Sequence, residues 1–494
     1  MDDSGAVEGA EPSRLARVSI ALALVLLSAV GEVACSGSGG AHCPDPNLSD
    51  AVSPSSTSGT TGITPTSATS ADAAGSFPFP VAVSGNGRYL VDQAGAPFMI
   101  IGDSPQCLSA HLTTQDMDYF FANRQKRGFN TAWVNLICGP YTWGADDART
   151  CDGITPFIFD RDISTPNPDY FARMDAMVQI AARHGITLVL NPAETGSFRD
   201  LLKDNGADKS REYGMFVGQR YKDALNVIWM LGNDYQIDQW ETYDPYEIAL
   251  SQGIRTADPD KLQTVELNPP VSTSFDDPPW PPLIDIASAY SYTPTYDVVL
   301  KAYNASPTQP VLMIEANFED ENNDGGPATT DLTLRNQEWW TALSGAAGQL
   351  YGNKYTWGMN NNDWIEHLDT KAVAELGFLV QFLKDRQWQD LVPDASHTFL
   401  TGDTGTYTST GDVLENDYAV AAVTADRTLA IAYTPTDRTL TLDQTKLPPE
   451  ATAQWFDPTD GSYRPASAPF STPGKNAAGD SDWVLIFEAP VTAG

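Results

Sequence analysis

Between residues 98 and 385 the chain switches repeatedly between two hydrophobic periods. Short apolar runs bounded by Gly, Asn or Asp read as buried strands at 98–101, 131–136, 187–190, 227–231, 262–265, 283–288, 311–314 and 348–351. Between them, stretches with helical spacing occupy 113–127, 169–184, 210–221, 245–256, 296–303, 332–344 and 371–385. Thr113 or Thr114 reads as an N-cap, and Gly128 and Gly185 stand just past helix ends. Strands that alternate with helices in this way predict right-handed crossovers and a parallel (β/α)₈ TIM barrel. A hairpin with turn residues at both ends, 85–95, precedes it.

From about residue 387 the pattern changes. Segments 417–423, 428–433, 439–442, 453–456 and 483–487 are β-rich with turn signals between them, which predicts an antiparallel β-sandwich. At the other end, Arg14 and Arg17 precede an apolar run at 18–30, the order of an export signal. Cys35 followed by SGSGG suits a lipoprotein signal, with Cys35 as a lipid anchor. Glu32 departs from that pattern, and 29–31 would also serve ordinary cleavage and free secretion. Residues 36–76 are Ser, Thr, Gly, Ala and Pro-rich and read as a disordered tether. The expected organisation is a signal at 1–35, a linker at 36–76, a barrel at 77–386 and an accessory sandwich at 387–494, in a monomer placed in a cell envelope or secreted.

Composition narrows the partners. The 494 residues carry a formal net charge of −35 with only 29 Lys and Arg, which argues against nucleic acid or an anionic membrane surface. Of the cysteines after Cys35, Cys138 and Cys151 enclose a short Gly- and Asp-rich loop. Their pairing is favoured among the three connectivities open to Cys43, Cys107, Cys138 and Cys151. No CxxC or His cluster points to a metal.

Two strands close on carboxylates. NVIWMLGNDY (226–235) ends in Asn233 and Asp234, and VLMIE (311–315) ends in Glu315. Polar residues just past barrel strands face the catalytic mouth. Two acids there, one protonated and one ionised, are the requirement of glycosidic bond cleavage. Asp103, Glu194 and Glu319 are further carboxylates near strand ends, and Asn191 closes the third strand.

Six segments together resemble the apiosidase-like glycoside hydrolases, a (β/α)₈ family. They are GNGRYLVDQAGAPFMIIGDS (85–104), KRGFNTAWVNL (126–136), WMLGND (229–234), PVLMIEANFE (310–319), SGAAGQLYGNKYTW (344–357) and RQWQDLVPD (386–394). The resemblance implies Asp234 as acid/base and Glu315 as nucleophile of a retaining hydrolase. It places Asn233 on the sugar 2-hydroxyl and Asp103 on the non-reducing sugar. Asn191, Tyr292, Tyr355 and Trp357 are the further substrate-binding candidates, and Trp143 is another aromatic expected near the mouth. Ser104-Pro105-Gln106 and Gln349 depart from the family pattern where the terminal sugar is expected. An arabinofuranose-like sugar therefore stands beside apiose. The competing reading is a non-catalytic carbohydrate-binding or adhesion protein on the same barrel.

No cofactor is expected. Asp320, Asn322, Asp324, Gly325 and Asp331 have calcium-loop spacing, but the last position lacks Glu and no EF-hand helix precedes it, so a solvated acidic loop is the preferred reading. His111, His184 and His367 show no metal-ligand spacing.

Overall fold

The computed structural model describes residues 77–321, 328–360 and 362–489. The expected export signal, the linker, Cys35, Cys43 and the calcium-loop positions Asn322, Asp324 and Gly325 lie outside the described residues. Asp331 forms an ion pair with Lys371 at 3.0 Å.

A three-stranded antiparallel hairpin opens the fold: β1 (Pro80–Val83), β2 (Leu90–Asp92) and β3 (Pro97–Phe98). The barrel strands follow: β4 (Ile100–Asp103), β5 (Thr131–Asn135), β6 (Thr187–Asn191), β7 (Val227–Tyr235), β8 (Gln263–Leu267), β9 (Val271–Thr273), β10 (Ala287–Ser291), β11 (Val311–Glu315) and β12 (Ala346–Tyr351). Their spatial order is β8-β7-β6-β5-β4-β12-β11-β10-β9, parallel except for β9, which runs antiparallel beside β10. The seam between β8 and β10 is closed by single bonds instead of a ladder. Ser288 Oγ donates to Val265 O at 2.5 Å and Thr264 Oγ1 to Ile286 O at 2.9 Å.

The strands are buried on both faces, as parallel strands covered by helices must be. Trp133, Val189, Ile228, Met230, Leu312 and Ile314 fill the barrel interior. Their neighbours Val134, Leu188, Leu190, Trp229 and Leu231 pack outward with helix residues such as Phe121, Met174 and Leu250. The helices are α1 (Leu108–His111), α2 (Thr114–Lys126), α3 (Pro168–Arg183), α4 (Thr195–Tyr221), α5 (Trp240–Ala257), α6 (Thr295–Tyr303), α7 (Asp331–Leu343) and α8 (Lys371–Lys384). Thr113 caps α2 by accepting from Asp116 N, and Thr370 caps α8 in the same way.

Three sequence expectations shift. The sixth strand lies at Ala287–Ser291 and not at 283–288, because residues 280–283 form a turn closed by Leu283 N donating to Trp280 O. Ile284 and Ile286 are buried there, so the apolar run marks burial rather than pairing. Helix α4 begins at Thr195, before a break at Gly206 (φ 81°) that hides its first half from a periodicity reading. Cys138 bonds Cys107, not the expected Cys151, which ties α1 to the loop after β5.

Two further antiparallel sheets complete the chain: six strands beginning with β13 (Leu391–Pro393) and three beginning with β14 (Leu400–Gly402). They form the expected sandwich and share a core with α7 and α8. Trp339 stacks on Tyr433 with ring centroids 5.9 Å apart, and Trp340 Nε1 donates to Tyr418 O at 2.9 Å. Arg335, on α7 and 1% exposed, is gripped by Glu375 at 2.6 Å, Asp480 at 2.6 Å and Asp482 at 2.9 Å.

Removing that guanidinium leaves buried carboxylates without their cation. Arg335→Met is expected to cost about 3–5 kcal/mol of stability. Chemical denaturation followed by tryptophan fluorescence measures it, and a loss below about 1 kcal/mol would show that the arginine is not what neutralises these acids.

Candidate active site

The mouth lies at the carboxyl ends of the barrel strands, where two strand irregularities aim the acids. In β7, Gly232 pairs with Glu266 and Tyr235 with Leu267, so Asn233 and Asp234 are extra residues bulged out of the ladder. Gly232, Asn233 and Asp234 all have positive φ, at 95°, 94° and 50°. Only glycine fits the first of these places. A Cβ on Gly232 would sit 2.1 Å from Glu266 O. In β11 the register slips so that Met313 faces Ala289 while Glu315 faces Tyr290. Ile314 points into the barrel, and plain alternation would send Glu315 outward. The slip turns it back to the inner side occupied by Tyr290.

Glu315 Oε1 accepts from Tyr290 Oη at 2.7 Å and from Tyr292 Oη at 2.5 Å. The Tyr290 hydroxyl also reaches the carboxyl of Asp234. One phenol oxygen serving both acids limits their separation to roughly twice a hydrogen-bond length, about 6 Å. Asp234 Oδ2 accepts from Tyr141 Oη, and its Oδ1 has no hydrogen-bond partner in the protein. Asp234 N donates to Glu266 Oε2 at 3.2 Å, and Glu266 Oε1 is likewise without a partner.

Asp234, Glu266 and Glu315 thus share one hollow. Burial pushes all three carboxyls up. Neighbouring negative charge raises Glu266 and Glu315 further, and the phenol donors pull Asp234 and Glu315 back down. Three anions cannot coexist there, so the group retains protons at neutral pH. The two donors on Glu315 favour it as an anion, while Asp234 keeps an uncommitted oxygen.

The other expected residues fall into two groups. Asn233 is at the mouth, with Oδ1 3.5 Å from Asn135 Nδ2 and its main chain held by Thr195. Tyr292 is on Glu315. Trp357 and Tyr355 lie on the loop after β12, Trp357 against Trp143 at 6.1 Å and Tyr355 stacked on His367 at 3.6 Å. Asp103 and Asn191, by contrast, are fully buried with their polar atoms used inside the protein. Asp103 accepts from Arg124 at 3.0 Å and from Ser104 N at 2.7 Å. Asn191 Nδ2 donates to Gly232 O at 2.9 Å, bracing the bulge. Glu319 is spent on Asn353 and Thr370.

Glu194 supports the site from below. It accepts from Asn135 Nδ2 at 3.2 Å, Gly139 N at 3.0 Å, Thr142 Oγ1 at 2.5 Å and Ser197 Oγ. Burial pushes it up to about 7 against those donors. These bonds fix the 3₁₀ turn Pro140–Thr142, whose Tyr141 meets Asp234.

Glu266, Tyr141 and Tyr290 were not among the sequence candidates. Glu266 had a legible signal, since TVEL closes an apolar run on an acid just as VLMIE does. Tyr141 and Tyr290 had none, because their partners come from other strands.

A family model described as "Apiosidase-like, catalytic domain" matches residues 84–390, and one described as "Putative collagen-binding domain of a collagenase" matches residues 409–488. Among solved structures, a protein described as a glycoside hydrolase aligns at 19% identity and TM-score 0.73, covering 84% of this chain and 98% of its own. A glycoside hydrolase family 5 protein from Bacteroides vulgatus aligns at 20% identity and TM-score 0.70, covering 84% of this chain and 94% of its own. At these identities the likeness is one of fold. No protein with a curated description matches the chain in sequence.

The bulge predicts that Gly232→Ala costs at least about 1–3 kcal/mol, from backbone strain alone. The thermal midpoint measures it, and an unchanged midpoint would mean that β7 closes without the left-handed residue.

Proposed function

The chain belongs to the apiosidase-like family of glycoside hydrolases, and from that premise we propose that it releases a terminal pentofuranose, apiose- or arabinofuranose-like, from a polysaccharide or oligosaccharide. Asp234 is the acid/base and Glu315 the nucleophile. The observation that carries this reading is the Tyr290 hydroxyl shared between the two acids. A separation of about 6 Å or less lies nearer the spacing of roughly 5–5.5 Å for retaining enzymes than the 6.5–9.5 Å that leaves room for water in inverting ones.

In the first step a Glu315 oxygen bonds to the anomeric carbon as the bond to the leaving oxygen breaks. Asp234 gives its proton to that oxygen. In the second, Asp234 takes a proton from water, the water oxygen bonds to the anomeric carbon, and the bond to Glu315 breaks. Tyr290 and Tyr292 hold Glu315 in line and lower the cost of its charge. Asn233 and Glu266 offer polar atoms to the sugar hydroxyls, and the bare Glu266 Oε1 is a ready acceptor. The order of Arg14, Arg17, the apolar run and Cys35 supports export, with Cys35 as anchor or the chain set free.

Aryl and sugar-linked apiofuranosides and arabinofuranosides test the reading. Asp234→Asn is expected to lose roughly 10²–10⁴ in kcat on a sugar leaving group and less on 4-nitrophenolate, which departs without a proton. Glu315→Gln is expected to lose activity on both, and full activity in either variant would reject the assignment. Tyr141→Phe gives a signed pH test. The Tyr141 hydroxyl favours ionised Asp234, so its removal raises the Asp234 pKa and moves the basic limb of kcat/KM to higher pH. A shift to lower pH would contradict Asp234 as the acid.

A further inference from the structure

Tyr141 and Trp143 are unusual among the aromatic residues of the mouth in standing out of the surface, at 45% and 57% exposed. Exposed rings need a reason to stay where they are, and several contacts provide it here. The turn that carries them is fixed by Glu194 at Gly139 N and Thr142 Oγ1, and by Ser197 Oγ at Tyr141 N. It follows Cys138, which is bonded to Cys107. Trp143 itself sits at φ 69°, its amide donating to Pro140 O at 3.2 Å. Its indole lies against Gly358, where a Cβ would come within 2.5 Å of the ring. His111 Nδ1 binds Gly358 O at 2.8 Å from beneath, so the Trp143 and Trp357 loops are locked together. The result is a rigid aromatic wall that undergoes little ordering when a ligand arrives.

The position of the wall says which end of a substrate it meets. The general acid protonates the leaving oxygen, so groups on the far side of the acid from the nucleophile face the leaving group. Glu315 is held by Tyr290 and Tyr292, whereas Tyr141 binds Asp234, and Trp143 is two residues farther along the same turn. Trp143 therefore lies on the leaving-group side.

Charge then restricts the occupant. The basic side chains described on the two loops, 136–153 and 353–369, are already matched. Arg149 pairs with Asp147 at 2.5 Å, and Lys354 acts on Glu321. His367 is stacked on Tyr355. Around them stand Asp234, Glu266, Glu315 and Glu321, with Trp357 hydrogen-bonded to Glu321. No cation is left over to receive a carboxylate, sulfate or phosphate on the leaving group, and the field repels one.

We infer that Trp143, with Tyr141 and Trp357 beside it, forms a leaving-group subsite that stacks an uncharged pyranose and discriminates against acidic sugars. The site rests on the proposed glycosidase reading for its orientation, since Asp234 as acid sets which side is which. The face of a neutral pyranose presents C–H bonds to the indole, and its hydroxyls need no cationic partner.

Binding and turnover together test this. Xylotriose and trigalacturonic acid, titrated at low ionic strength with tryptophan fluorescence as readout, are expected to differ at least tenfold in Kd in favour of xylotriose. Salt should narrow the gap. Trp143→Ala is expected to weaken xylotriose about tenfold, and Trp143→Phe to recover most of that. In turnover, the ratio of kcat/KM for a xylose-linked arabinofuranoside or apiofuranoside to that for the methyl furanoside should fall about tenfold in Trp143→Ala, chiefly through KM. Equal affinity for the acidic trisaccharide, or xylotriose binding unaffected by Trp143→Ala with both variants folded, would overturn the subsite. Trp143-dependent xylotriose binding in a wild-type protein that cleaves no furanoside would instead overturn the hydrolase reading and leave the neutral-sugar site standing.

Discussion

Crowding three carboxylates into one buried hollow is the constraint on which this structure turns. Asp234, Glu266 and Glu315 come from three strands, and burial penalises each charge. Such a group survives in a fold only if its geometry is imposed from outside, because mutual repulsion would otherwise spread it. The barrel imposes it twice through backbone irregularity. Two extra residues at the end of β7 place Asp234, and a slip between β10 and β11 turns Glu315 inward. In both places the ladder gives up regular pairing for the aim of one side chain.

What supports the acids is mostly neutral. Tyr141, Tyr290 and Tyr292 supply hydroxyl donors, and no Arg or Lys is hydrogen-bonded to Asp234, Glu266 or Glu315 among the described residues. A cation beside them would hold both acids ionised and remove the proton that the first step requires. Phenols stabilise the anion without fixing the charge state so firmly. Glu194 performs a different task with the same functional group. Its four donors tie the 139–142 turn to the first turn of α4, and through Tyr141 that turn reaches Asp234. Asn191 acts similarly on the other side, holding Gly232 O.

The sandwich contributes from farther away. Its core is continuous with α7 and α8, the helices that flank β12, and Arg335 joins acids of both parts. Helix α7 follows the strand that bears Glu315, so the accessory sheets brace the barrel wall behind the nucleophile. Nothing in the pattern of residues 387–494 announced this role, because a buried arginine and its three acids are far apart in sequence.

The sequence alone carried the architecture, since eight apolar runs alternating with helical periods can bury their faces in few ways. It also carried the two acids, because a strand that closes on a carboxylate is visible locally and WMLGND and VLMIE stand in recognisable company. By the same logic Glu266 was there to be read in TVEL. Strand-end position did not separate Asp103, Asn191, Glu194 and Glu319, which are spent on internal partners, from Asp234 and Glu315, which face the hollow. That distinction depends on register slips and on hydrogen bonds across tens of residues. So does the choice of Cys107 over Cys151 as the partner of Cys138. Periodicity records which residues are buried; only the assembled barrel decides what each buried polar atom has left to offer, because that is set by neighbours the chain brings from elsewhere.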